Sequence, residues 1–154
     1  MISNSPKETL LVGKVIAKYL LPGDIIFLSG SLGCGKTVMA KGIAAGLGVD
    51  PADVTSSSFV LIREHSGGRI PFYHFDLYRL NKAQDIASLG YEEYFSGRGV
   101  SVIEWPQRLA CLIPESYLKV ELEYEGLSKR KIKLLASGER FRKLIRKINE
   151  DIGV

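Results

Sequence analysis

Apolar positions recur along the chain with two alternating periods, and the switches between them outline the elements. Leu11, Val12, Val15, Ile16, Tyr19 and Leu20 fall on one helical face behind Ser5-Pro6-Lys7-Glu8, a capping box with proline at the first helical position, so a helix is predicted from about Pro6 to Leu21. Leu21-Pro22-Gly23-Asp24 turns the chain into Ile25 to Leu28, an apolar run suited to a buried strand, after which Met39, Ile43 and Leu47 repeat at helical spacing until Gly48. FVLIREH and IPFYHFDLY flank Ser66-Gly67-Gly68-Arg69, which predicts two antiparallel strands near one sheet edge. Asn81 is placed to cap a helix running through Ile86 and Leu89 to Gly90, with a short helical piece over Tyr91 to Phe95. GVSVIEWP, Gly99 to Pro106, describes a buried parallel strand whose tip carries Glu104. YLKVELEYE and KRKIKLLAS alternate apolar with polar around Glu125 to Ser128, a second hairpin with one exposed face. Phe141, Leu144, Ile145, Ile148 and Ile152 then form a stripe opposite Arg142, Lys143, Arg146 and Lys147, a basic amphipathic helix at about 138–152.

The first strand and the helix after it enclose Gly30-Ser31-Leu32-Gly33-Cys34-Gly35-Lys36-Thr37, a glycine, four free positions, then Gly-Lys-Thr. This is the phosphate-binding P-loop pattern in the strand, turn, helix context it requires. Backbone N–H groups can wrap a polyphosphate only where side chains do not hold the chain away, and Gly30, Gly33 and Gly35 permit the torsions of such a nest. The helix that follows adds unpaired N–H groups and the positive end of its dipole. Lys36 is then the candidate for reaching the β- and γ-phosphates, and Thr37 the candidate hydroxyl ligand of Mg2+. Ligands of open α/β sheets bind beyond the carboxyl ends of the strands, so Glu104 is the expected acidic residue facing that ion, with Asp76 of HFDLYR the competitor. The polar loop Asp50 to Ser58 reads either as a switch loop at the γ-phosphate or as a surface linker. Together these features predict an α/β fold, a P-loop NTPase-like three-layer sandwich with a mixed, mostly parallel sheet, antiparallel hairpins and flanking helices.

Composition narrows this picture. With 154 residues, 45% hydrophobic and 25% charged, the chain suits one domain over 1–154 with a single compact core. It has no run of eighteen apolar residues and no leader-like start, and the expected location is the cytoplasm, with no membrane partner. Charge is uneven: up to Ser128 there are 12 Lys and Arg against 14 Asp and Glu, and from Lys129 on 9 against 3. The C-terminal helix either docks on its own sheet with a solvated basic back or serves an RNA, membrane or partner protein. Cys34 and Cys111 match no metal-ligand spacing, and Cys34 reads as a small residue filling a free loop position. His65 and His74 lie in strands without a Cys/His cluster and read as packing or hydrogen-bonding residues.

The Asn-Lys-x-Asp reader of guanine switches is missing, since Asn81-Lys82-Ala83 is followed by Gln84, so ATP is the expected nucleotide. A small-molecule kinase and a nucleotide-gated RNA-binding module remain as alternative functions. HFDLYRL (His74 to Leu80), EWP (Glu104 to Pro106), the LGCGKT loop and SSSF (Ser56 to Phe59), in this order and spacing, resemble the TsaE (YjeE) family over about Glu8 to Lys133. The resemblance implies a P-loop ATPase of tRNA threonylcarbamoyladenosine biosynthesis, weak without its partners, which acts on the TsaB and TsaD pair and resets it between turnovers. Contact with tRNA would be indirect. It further implies Thr37 and Glu104 as Mg2+ ligands, Leu32, Gly33, Cys34, Gly35, Lys36 and Thr37 on the phosphates, and Asp76 and Trp105 lining the site, with Thr9 and Arg130 near the nucleotide. The chain departs from the family pattern at Ser31, where Asp is usual, at Cys34, where Ala is usual, and at Ser56-Ser57-Ser58, where Ser-Pro-Thr is usual. Loss of that proline leaves the loop less constrained, while Ser58 keeps a hydroxyl.

Overall fold

The structure is a computed structural model and describes residues 1–56 and 61–153. The elements run β1 (Ile2–Ser3), α1 (Pro6–Ala17), β2 (Ile25–Ser29), α2 (Lys36–Gly46), β3 (Ile62–His65), β4 (Phe72–Asp76), α3 (Ala83–Ala87), α4 (Tyr91–Phe95), β5 (Val100–Glu104), β6 (Tyr117–Tyr124), β7 (Arg130–Ser137) and α5 (Glu139–Ile152). Short 3-10 segments cover Pro51–Asp53 and Pro106–Leu112. The strands form one seven-stranded sheet in the order β1-β7-β6-β2-β5-β4-β3. Its centre, β6-β2-β5-β4, is parallel, and β1, β7 and β3 pair antiparallel at the flanks, so both expected hairpins are present.

Alternation along the strands divides the core into two layers, as side chains two apart share a face. Ile26 and Leu28 of β2, Phe72 of β4, and Val100 and Val102 of β5 pack with buried residues of α1, α2 and α5. Ile25, Phe27, Phe75 and Ile103 face the other way, onto Ile86 of α3, the aromatic rings of α4 and Leu109. The same parity puts His74, Asp76 and Glu104 on the side of α2. Phe141, Leu144 and Ile148 of α5 are buried in the first layer while Arg142, Lys143, Arg146 and Lys147 are exposed, which is the docked-helix reading of the C-terminus.

Three boundaries differ from expectation. α1 stops at Ala17 rather than Leu21, because the amides of Lys18, Tyr19 and Leu20 bond three residues back, to Val15, Ile16 and Ala17. Two arginines bond carbonyls at this end, Arg69 donating to Ala17 and Leu20 and Arg140 to Tyr19 at 2.7 Å, with Arg140 also paired to the buried Asp24 at 2.6 Å. Asn81 does not cap α3: Lys82 holds the cap position with no side-chain cap, and the helix ends at Ala87, short of Gly90. β1 carried no periodic signal, since two residues are too few to show one; it is fixed by pairing to Lys131 and Arg130. The capping box at Ser5 forms with a shift: Ser5 Oγ accepts from the Glu8 amide at 3.2 Å, but the Glu8 carboxylate accepts from the Asn4 amide at 2.7 Å. The hydrogen bonds from Asn4 hold the Glu8 pKa below its ordinary value.

α1 and α2 cross in close contact because their meeting points are glycines. A Cβ on Gly42 would strike the Leu10 carbonyl and come 3.0 Å from its Cα, and one on Gly13 would lie 2.7 Å from the Met39 carbonyl oxygen. This crossing brings the start of α1 beside the start of α2. Gly42→Ala is expected to lower stability by about 1–2 kcal/mol in urea unfolding, the overpacking cost outweighing the roughly 1 kcal/mol that alanine adds to an open helix; a gain in stability would show that the helices do not press on each other there.

Candidate nucleotide site

β2 ends at Ser29, and the loop that follows returns the chain into α2 at Lys36. Gly30, Gly33 and Gly35 have φ of 150°, 76° and 108°, so the torsions anticipated for an anion nest are present. At Gly35, which caps α2, a Cβ would have room, its nearest neighbour being Leu122 Cδ2 at 3.8 Å, so glycine is needed there for its torsion. No side chain caps α2, which leaves its first amides directed at the loop's centre. Lys36 is 5% exposed, and its ammonium donates to the carbonyls of Gly30 at 2.8 Å and Ser31 at 2.9 Å while lying 4.2 Å from the Trp105 ring centroid.

The acidic side of the site comes from two neighbouring parallel strands, whose register sets Asp76 beside Glu104 and Glu104 beside Leu28. Glu104 is 2% exposed and held at both oxygens: Thr37 Oγ1 donates to Oε1 at 3.1 Å, and His74 Nε2 lies 2.9 Å from Oε2. Asp76 accepts from Ser56 Oγ at 2.9 Å and from the Tyr78 amide at 3.1 Å. Directly after Glu104, Trp105 sits at φ 60°, ψ 51°, a left-handed conformation that a bulky residue takes only where its surroundings impose it. That turn lays the indole across Lys36.

Two clefts adjoin the loop. One, of about 220 Å3, is lined by Leu32, Gly33, Gly35, Lys36, Thr37, Val38, Ser56, Asp76, Glu104 and Trp105. The other, of about 130 Å3, is lined by Pro6, Thr9, Gly33, Cys34, Gly35, Val38, Ser128 and Arg130. Every site residue expected from the sequence therefore borders one of the two, with Thr9 and Arg130 on the side away from the carboxylates. Thr9 is buried, its hydroxyl sharing a hydrogen bond of 2.8 Å with Ser3. Cys34 is fully buried with its Sγ 3.9 Å from the Lys36 ammonium, a packing residue beneath the loop. Ser57 and Ser58 of the polar loop, and Phe59 and Val60 at the start of the expected strand, lie outside the described residues.

The sequence did not reveal what ties the loop to the second hairpin. Arg130 donates through Nε to the Cys34 carbonyl at 2.8 Å and through Nη1 to Lys129 at 2.8 Å, with its guanidinium 4.2 Å from the Tyr124 ring centroid. Tyr124 in turn donates to the Leu32 carbonyl at 3.3 Å. His74 is the hydrogen-bonding residue expected, and its partner is Glu104, which the sequence did not reveal. His65 packs on Phe72 with ring centroids 5.8 Å apart, and burial pushes its pKa down. Removal of the Arg130 guanidinium in Arg130→Ala is expected to speed amide exchange over Leu32 to Lys36 about tenfold, with helix content unchanged. Unaltered exchange there would mean that the loop holds itself.

The family model for TsaE, threonylcarbamoyl adenosine biosynthesis protein, matches residues 3–132. The tRNA threonylcarbamoyladenosine biosynthesis protein TsaE of Bacillus subtilis (strain 168) is 36% identical over 145 residues, covering 94% of this chain and 90% of that protein. The protein of the same name from Treponema pallidum (strain Nichols) is 37% identical over 131 residues, 85% of this chain and 96% of the relative. Among solved structures, the crystal structure of Bacillus subtilis YdiB superposes with a TM-score of 0.84 at 33% identity, over 99% of this chain and 94% of that one. With the family pattern spanning most of its length and relatives this similar at both ends of the comparison, the chain belongs to the TsaE family of tRNA threonylcarbamoyladenosine biosynthesis proteins.

Proposed function

We propose that the chain binds ATP with Mg2+ between the loop Gly30 to Thr37 and the carboxylates of β4 and β5, and hydrolyses it slowly to reset the TsaB and TsaD pair between rounds of tRNA modification. The observation that carries this reading is the meeting of Thr37 and Glu104, 3.1 Å apart, at the start of α2 beside the buried Lys36. A hydroxyl and a carboxylate are hard oxygen donors, the set that Mg2+ takes when phosphate and water oxygens supply its other positions. Among the described residues no three His, Cys, Asp or Glu side chains converge as a metal cage of their own. The residues present thus fit an ion that arrives with its nucleotide, which supplies charge neutralisation on the phosphates.

The roles follow from position. The amides of Leu32 to Thr37 cradle the phosphates, and Lys36, already held at the centre of the loop, neutralises the β- and γ-oxygens. Asp76, one strand over from Glu104 and fixed by Ser56 and Tyr78, orients water at the γ-phosphate. Trp105 walls the cleft, and Thr9 and Arg130 border the space left for the nucleoside. Among the described residues no helix is long and apolar enough to cross a membrane.

Association with the TsaB and TsaD pair in a pull-down is expected to require ATP and to weaken at least about tenfold in Lys36→Ala and in Glu104→Ala. Equal capture with and without ATP would contradict the coupling, and tRNA bound by the chain alone would favour an RNA-binding module. ATP turnover by the isolated chain is expected to be slow and to rise with the pair present; fast turnover alone, or turnover dependent on a metabolite that becomes phosphorylated, would point to a kinase.

A further inference from the structure

The far oxygen of Glu104 meets a side chain that takes no part in the roles assigned above, that of His74. His74 and Glu104 are both 2% exposed, and their contact of 2.9 Å lies on the α2 side of the sheet. His74 pairs in register with Val102, two residues before Glu104, so its ring reaches diagonally across the ladder to the strand's end. Its other side faces Phe72, ring centroid 6.1 Å away. An ionised carboxylate only accepts hydrogen bonds, so with Glu104 ionised, as a metal ligand is, the His74 Nε2 carries the hydrogen.

A buried pair of this kind contributes little net stability, because desolvation offsets the attraction. Its effect is on geometry. A glutamate side chain at a strand end has several rotamers, and the one present sets Oε2 on His74 and Oε1 on Thr37. We infer that His74 is a positioning residue: by holding Oε2 it fixes Glu104 with Oε1 toward Thr37 and the Mg2+ of the bound nucleotide. The inference rests on the nucleotide reading given above, and it concerns the metal alone. Among the described residues no hydrogen bond joins His74 to the phosphate cradle or Lys36, whose partners are Gly30, Ser31 and Cys34, so both should work without it.

Outer-shell partners of metal ligands typically change metal affinity 10–100-fold when removed. The test is calorimetric ATP affinity with and without Mg2+, the ratio being the gain due to the ion. His74→Phe should reduce that gain about 10–100-fold while changing Mg2+-free affinity less than about twofold. His74→Asn, polar but too short to reach Oε2, should show the same loss should the phenylalanine variant fail to fold. His74→Gln, whose amide nitrogen can occupy the place of Nε2, should recover most of the gain. In a Glu104→Gln background, His74→Phe should cost nothing further, since the two act as one unit. An unchanged gain in His74→Phe and His74→Asn would overturn the inference, as would equal losses with and without Mg2+, or losses that add in the double variant. A wild-type chain with no Mg2+-dependent ATP affinity would overturn the nucleotide reading and this one with it.

Discussion

Glu104 is a carboxylate carried into the interior at the end of a central strand, and a buried carboxylate without partners would cost several kcal/mol. The fold answers with a hydroxyl from the first turn of α2 and an imidazole from the neighbouring strand. The bond between Thr37 and Glu104 joins the two halves of the site, the loop that presents amides and the strand ends that present acid. It can form only because β2 and β5 are adjacent and parallel, so that the loop leaving one strand and the acid ending the other emerge on the same side.

The helices hold this arrangement from behind. α1 crosses α2 at Gly13 and Gly42 without room for side chains, which brings Thr9 and Pro6 against the outer wall of the loop. Arg130 closes the same wall from the second hairpin, and its bond to Cys34 ties the centre of the loop to β7. The loop is thus braced on one flank by a helix and a hairpin together, while the carboxylate side borders Ser56 of the polar loop. That asymmetry suits a site whose phosphate cradle is preformed.

Much of this was legible in the sequence because its signals are local. Gly30 to Thr37, the alternation of the two hairpins, the apolar run ending in Glu104 and the stripe of α5 are each written within a few consecutive residues. What escaped depends on partners far along the chain. α1 looked four residues longer because Tyr19 and Leu20 continue its apolar face, whereas its end is set by Arg69 and Arg140. The alternation in HFD puts His74 on the face of Asp76, yet its partner is thirty residues away and is revealed only by strand order. Arg130 is placed near the nucleotide by the resemblance alone, and its bond to the Cys34 carbonyl shows only once the hairpin sets it against the loop.

The most direct test is a crystal structure of the chain with Mg2+ and a non-hydrolysable ATP analogue. The account predicts the triphosphate wrapped by the amides of Leu32 to Thr37, with the ion about 2.0–2.1 Å from Thr37 Oγ1 and bound to Glu104 directly or through one water. A triphosphate bound elsewhere, or an ion out of reach of Glu104 with the loop filled, would contradict it.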